Sequence, residues 1–124
     1  MEKTERLNHR WRGVYRVLSN PVRREVVGAL MEAGPGRALS LPDAATTPDG
    51  RRDPERLRLN LVHHHLPLMA EYGFVQWDRR PLSAERGPAF EEVEAVLGAV
   101  DEYENLPKRL VEGCHFLERN GVTP

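Results

Sequence analysis

The chain has 124 residues, 40% hydrophobic and 30% charged, which suits one folded domain and excludes both a disordered chain and two independent cores. Its net charge of -1 hides an asymmetry: residues 1–80 carry 14 basic against 10 acidic side chains, and residues 81–124 carry 4 against 9, so the two parts are +4 and -5. The opening MEKTERLNHRWRG lacks the apolar run of a signal peptide, no stretch approaches the roughly 20 apolar residues of a membrane span, and the lone Cys114 has no partner for an internal disulfide; the expectation is a cytoplasmic chain with no membrane partner.

Leu7, Trp11, Val14, Tyr15 and Leu18 recur at spacings of three and four and predict an amphipathic helix over 5–18. The segment SNPVRREVVGALMEAGPG marks its own limits, with Ser19 or Asn20 as cap, Pro21 at the first helical position and Gly34, Pro35 and Gly36 as terminator. Val22, Val26, Val27, Leu30 and Met31 form its apolar side. Residues 39–45 predict a short third helix, closed by the turn-forming TTPDGRRDP. A longer helix is expected from Pro54 to Tyr72, with Leu57, Leu61, Val62, Leu66 and Met69 on its packing side, Pro67 kinking or dividing it and Gly73 ending it. FVQWD alternates like a strand and is followed by the hairpin-like RRPLSAERGP. Helical spacing resumes in Phe90, Val93, Val96, Leu97, Val100 and Tyr103, and a final helix is expected from Pro107 through Leu117.

This order predicts a mainly α protein with a small β hairpin, a winged helix-turn-helix over residues 1–88 followed by extra C-terminal helices over 89–124. In that plan one helix enters the major groove of a duplex and the hairpin reaches the backbone or minor groove. The helix from Pro54 to Tyr72 is the candidate for the groove, and its non-core residues have suitable chemistry: Arg56, Asn60, His63 and His64, with Arg51 and Arg52 in the preceding loop. Arginine takes guanine or phosphate through paired hydrogen bonds, asparagine takes adenine, and histidine donates or accepts at a base edge. Arg79 and Arg80 stand at the expected wing tip, where guanidinium groups follow phosphates.

Consecutive histidines on a helix point about 100° apart, so His63, His64 and His65 cannot converge on one metal ion. His65 is expected to turn inward and the other two outward. Opposite the apolar stripe Phe90, Val93, Leu97, Val100 and Tyr103 lie Glu91, Glu92, Glu94, Asp101, Glu102 and Glu104, which a duplex would repel. That stripe is read as a dimerisation surface against a second copy, with packing onto the chain's own Trp11 and Tyr15 as the alternative. No Gly-rich phosphate loop, nucleophile motif or metal-ligand spacing occurs, so the expectation is no enzyme, no cofactor and no metal.

The segment VHHHLPLMAEYGFV resembles the recognition helix and following turn of ArsR-like winged helix regulators, through Val62, His65-Leu66, Leu68-Met69 and Gly73-Phe74-Val75. LSNPVRREVVGAL is similar to the Leu-Ser-x-Pro-x-Arg-Arg helix of that family, and HHHLPLMAEYGFVQWD with GPAFEEVEAVL is closer still to small haloarchaeal winged helix domains. The resemblance covers residues 8–104 and implies a DNA-binding transcriptional regulator with a dimerising helix, with His63 and His64 at positions that meet DNA. It departs where Pro67 replaces a frequent lysine, where TTPDGRRDP lengthens the turn, and where LSLPDAA lacks the cysteines of metal-sensing members, so metal sensing is not implied.

Overall fold

The computed structural model describes residues 2–47 and 53–120. Asn20 is extended, its side chain accepts the Val22 N–H at 2.8 Å, and Pro21 opens the following helix with the backbone angle already set. These residues separate helix α1, Lys3–Leu18, from helix α2, Pro21–Ala33. Gly34 adopts φ 86°, a left-handed value, and returns its N–H to Leu30 O, which ends α2.

Val22, Val26, Val27 and Leu30 are buried as their spacing requires, with Met31 half-buried. Of the expected side of α1, Val14 is buried and Leu18 half-buried against the core, and the rest is not. The buried side consists of Gly13, Val14 and Val17, while Leu7, Trp11 and Tyr15 stand out in solvent at 54%, 53% and 64% exposure. Gly13 sets this rotation: the Tyr72 ring lies so close that a Cβ at residue 13 would fall 2.5 Å from it.

The expected third helix is reduced to one 3-10 turn at Asp43–Ala45, preceded by a strand, β1 (Leu39–Ser40). Pro42 provides the reason, since it offers no N–H and disfavours helical geometry at Leu41. Leu41 instead donates its N–H to Leu82 O at 3.0 Å.

From Pro54 the chain runs helically to Glu71, as α3 (Pro54–Asn60), a wide turn (Leu61–His65) and α4 (Leu66–Glu71). Asp53 caps the start by accepting the Glu55 N–H at 3.2 Å. In the wide turn Leu66 donates to Leu61 O, five residues back rather than four. The sequence predicts a kink or a break at Pro67. The observed answer is a π-type turn, which draws the backbone carbonyls away from the pyrrolidine ring without ending the helix. The end comes at Gly73, φ 78°, where Gly73 and Phe74 donate to Ala70 O and Met69 O.

Strands β2 (Val75–Arg79) and β3 (Leu82–Arg86) form an antiparallel hairpin, and β1 adds to β3 on its other edge, giving the order β1-β3-β2. Trp77 and Leu39 both pair with Ala84, so the short first strand is fixed in register with the hairpin.

Three helices follow: α5 (Phe90–Asp101), α6 (Lys108–Glu112) and α7 (His115–Asn120). Gly113 divides the expected last helix in two. The hydrophobic core does not stop at residue 88, because Phe90, Val93, Leu97, Cys114, Phe116 and Leu117 belong to the same cluster as α1, α2 and the hairpin. The Phe116 ring packs directly on Gly28, where a Cβ would collide with it. No helix among the described residues is long and apolar enough to cross a membrane.

Candidate nucleic-acid interface

The continuous helix of residues 54–71 has a buried side and an exposed one, the latter including Glu55 and Leu59. Leu57, Leu61, Val62, His65, Leu66, Leu68 and Met69 are buried, whereas Arg56, Asn60, His63, His64 and Pro67 are exposed. The exposed set follows spacings of four, three and one, so its side chains share one face. His65 turns inward as expected, at 5% exposure, and its Nδ1 lies 3.0 Å from Arg23 Nη1.

The hairpin adjoins this helix. Only Arg80 and Pro81 separate the paired residues Arg79 and Leu82, so Arg79 and Arg80 occupy the tip, both exposed. Arg58 links the tip to α3 by donating to Arg79 O at 3.5 Å. Sequence reasoning passed over Arg58, although a cation one turn inside the helix is within reach of a basic hairpin. Among the described residues, the side chains of Arg56, Asn60, His63, Arg79 and Arg80 are held by no hydrogen bond or ion pair. Arg51 and Arg52 lie outside the described residues.

Five other arginines have internal work, whereas Arg12, Arg16, Arg37 and Arg109 are exposed and, like Arg56, Arg79 and Arg80, make no side-chain hydrogen bond or ion pair among the described residues. Arg10 donates to Tyr72 O at 2.6 Å, capping the last turn of α4, and pairs with Glu92 of α5 at 2.7 Å. Arg24 donates to Leu18 O and Gly113 O, and Arg86 donates to Leu30 O and Met31 O at the end of α2. Arg23 is 5% exposed, and its guanidinium reaches Val17 O, Arg16 O, His65 and His64. Burial, and secondarily the charge of Arg16, holds its pKa below the ordinary arginine value. Buried Glu25 accepts from Arg119 at 2.8 Å and lies 3.1 Å from His115 Nδ1, fastening α7 to α2. Sequence reasoning missed Arg23 and Arg10. A signal existed for Arg23, since positions 23, 27 and 30 share a side and Val27 and Leu30 are core residues.

The expected dimerisation stripe is corrected. Phe90, Val93 and Leu97 are 3%, 0% and 3% exposed within the single chain, because α5 packs on both α1 and α2. Three residues already committed to their own core cannot also cover a partner. Val100 is half-buried, and Tyr103 alone of the five is open, at 62% exposure. The alternative, packing on the chain's own first helix, is what α5 does together with α2, but not through Trp11 and Tyr15, which stay 53% and 64% exposed; Arg10 and Glu92 link α1 to α5, and the Trp11 and Tyr15 rings pack against each other at the surface, 5.5 Å apart. Among the described residues no group of three or more His, Cys, Asp or Glu side chains is placed to hold a metal ion. No family model, curated protein or solved structure matches the chain.

Proposed function

We propose that the chain is a winged helix-turn-helix protein that binds double-stranded DNA as a homodimer and regulates transcription, with no catalytic step. The reading is supported by element order: α2, β1, a one-turn 3-10 helix, the helix of residues 54–71, and the β2–β3 hairpin follow the order of that fold, with its first helix-turn-helix helix reduced to the single turn at Asp43–Ala45. The ArsR-like character of VHHHLPLMAEYGFV agrees with it. The single observation that carries the function is the face shared by Arg56, Asn60, His63 and His64, with Arg79 and Arg80 adjoining, solvent-exposed and chemically matched to phosphates and base edges.

The dimer in this reading uses α1 rather than the buried side of α5. Leu7, Trp11 and Tyr15 form an exposed stripe at spacings of four, beside a groove of about 410 Å³ between α1 and α5. Charge favours a second copy as occupant: beyond Arg10, paired with its own Glu92, α1 carries Lys3, Arg6, Arg12 and Arg16 against the single acid Glu5, whereas beyond Glu92 and Glu94, paired with Arg10 and Arg86, α5 carries Glu91 and Asp101 and no cation. One copy's α1 against the other's α5 therefore joins opposite charges around an apolar centre. Sedimentation of Trp11→Glu tests this, with a monomer expected where the parent is a dimer.

Gel shift of a mixed-sequence duplex across a salt series tests the function. Phosphate binding predicts a steep fall in affinity, with a log-log slope near -0.9 per phosphate neutralised. A winged helix used only for protein contact predicts no shift at low salt.

A further inference from the structure

We propose that Arg23 is a positioning residue that sets base specificity: it holds His64 in the form whose second ring nitrogen, Nδ1, is an N–H donor, so that His64 selects a hydrogen-bond acceptor on a base edge. The inference rests on the duplex-binding reading above and names how one contact of that face discriminates.

The geometry begins at the end of α1. Arg23 Nε donates to Val17 O at 3.2 Å and Nη2 to Arg16 O at 2.9 Å, which fixes the plane of the guanidinium. The remaining nitrogen, Nη1, faces the wide turn of residues 61–65, 3.0 Å from His65 Nδ1 and 3.5 Å from His64 Nε2. Neighbouring side chains of a regular helix diverge by about 100°. Here the two rings lie 5.1 Å apart and share one guanidinium.

A guanidinium donates and never accepts, so each ring nitrogen facing it must present a lone pair. A neutral imidazole carries one proton, which then sits on the other nitrogen: Nε2 for His65 and Nδ1 for His64. His65 is buried, and its ring serves the core. His64 is exposed, and Nδ1–H is the group it has left to offer. A free histidine side chain in water prefers the proton on Nε2, so Arg23 imposes the less common form on His64. In the major groove an N–H donor matches guanine N7 and O6, adenine N7 or thymine O4, and opposes the amino group of cytosine.

The first test uses the full chain with 15N-labelled histidine and long-range proton–nitrogen correlation at neutral pH. His64 is expected to show a protonated Nδ1 and an unprotonated Nε2. A wild-type spectrum with the proton of His64 on Nε2 overturns the proposal, with no variant required.

The second test selects fragments from a random duplex pool with the wild type and with Arg23→Met, the latter verified as folded by circular dichroism. One base position is expected to lose its discrimination against cytosine, by about two- to tenfold, the range of one hydrogen bond, while the salt dependence stays the same. Unchanged discrimination in folded Arg23→Met overturns the proposal. A wild type that captures no duplex overturns the DNA reading and the specificity role together, and the nitrogen spectrum then separately judges the Arg23 contact. If Arg23→Met does not fold, the wild-type spectrum decides.

Discussion

Around α2 the arginines look inward: Arg10, Arg23, Arg24 and Arg86 each donate to main-chain carbonyls at or near the ends of α1, α2 or α4, and Arg119 pairs with the buried Glu25. Along the helix of residues 54–71 and the hairpin tip, Arg56, Arg79 and Arg80 point to solvent with their donors unused among the described residues. The same side chain thus has two roles, and its surroundings decide between them. A helix end leaves carbonyls without partners, and a guanidinium buried beside them satisfies several at once. A cation facing water leaves its donors to solvent, as do the exposed Arg12, Arg16, Arg37 and Arg109 elsewhere on the chain. The composition, with 16 arginines among 18 basic residues, does not separate the two groups.

The largest effects are expected from the inward side. Phe116→Ala empties the space above Gly28 and is expected to lower stability by about 3–5 kcal/mol, measured by urea unfolding, with DNA affinity per folded molecule unchanged. Arg10→Met removes the cap on α4 and the link to Glu92, and a loss of about 1.5–3 kcal/mol is expected. A loss near zero for Arg10→Met would place it with the outward group.

Arg79→Ala with Arg80→Ala sharpens the other side. Stability is expected to move by less than about 0.5 kcal/mol, whereas affinity falls for every duplex alike and the salt slope shrinks by about 2 if each arginine neutralises one phosphate. The smallest effect is expected at Asp101, where burial first, then the charges of Glu102 and Glu32, raises the carboxyl pKa. A raised carboxyl binds its proton more tightly in the folded chain, so its ionisation costs stability near neutral pH and nothing once both states are protonated. Asp101→Asn should therefore stabilise slightly at pH 7, with the gain fading as pH falls through the carboxylate range.

Much of the fold was legible because it is written in local signals. Asn20-Pro21, Gly34, Pro54 and Gly73 mark helix limits that the structure keeps. What sequence could not show was long-range contact. Helical spacing in 5–18 describes an apolar stripe, but the rotation of α1 depends on Tyr72 meeting Gly13, partners 59 positions apart. The stripe in α5 was legible as apolar; whether a second copy or its own α1 and α2 would cover it depended on packing. Pro42 is a local signal against helix in 39–45. For the candidate site, the exposed faces of His63 and His64 and the inward turn of His65 followed from spacing, whereas the Arg23 contact required two helices to meet.

In the proposed function, the Arg, Asn and His face of residues 54–71 and the hairpin tip form one surface for a duplex. Amide hydrogen exchange, measured with and without a mixed-sequence duplex at low salt, tests it most directly. Protection confined to segments containing Arg56–His64 and Arg79–Arg80, with Phe90–Asp101 unchanged, is the predicted result. Protection confined to α1 and α5, or none anywhere, would contradict the account.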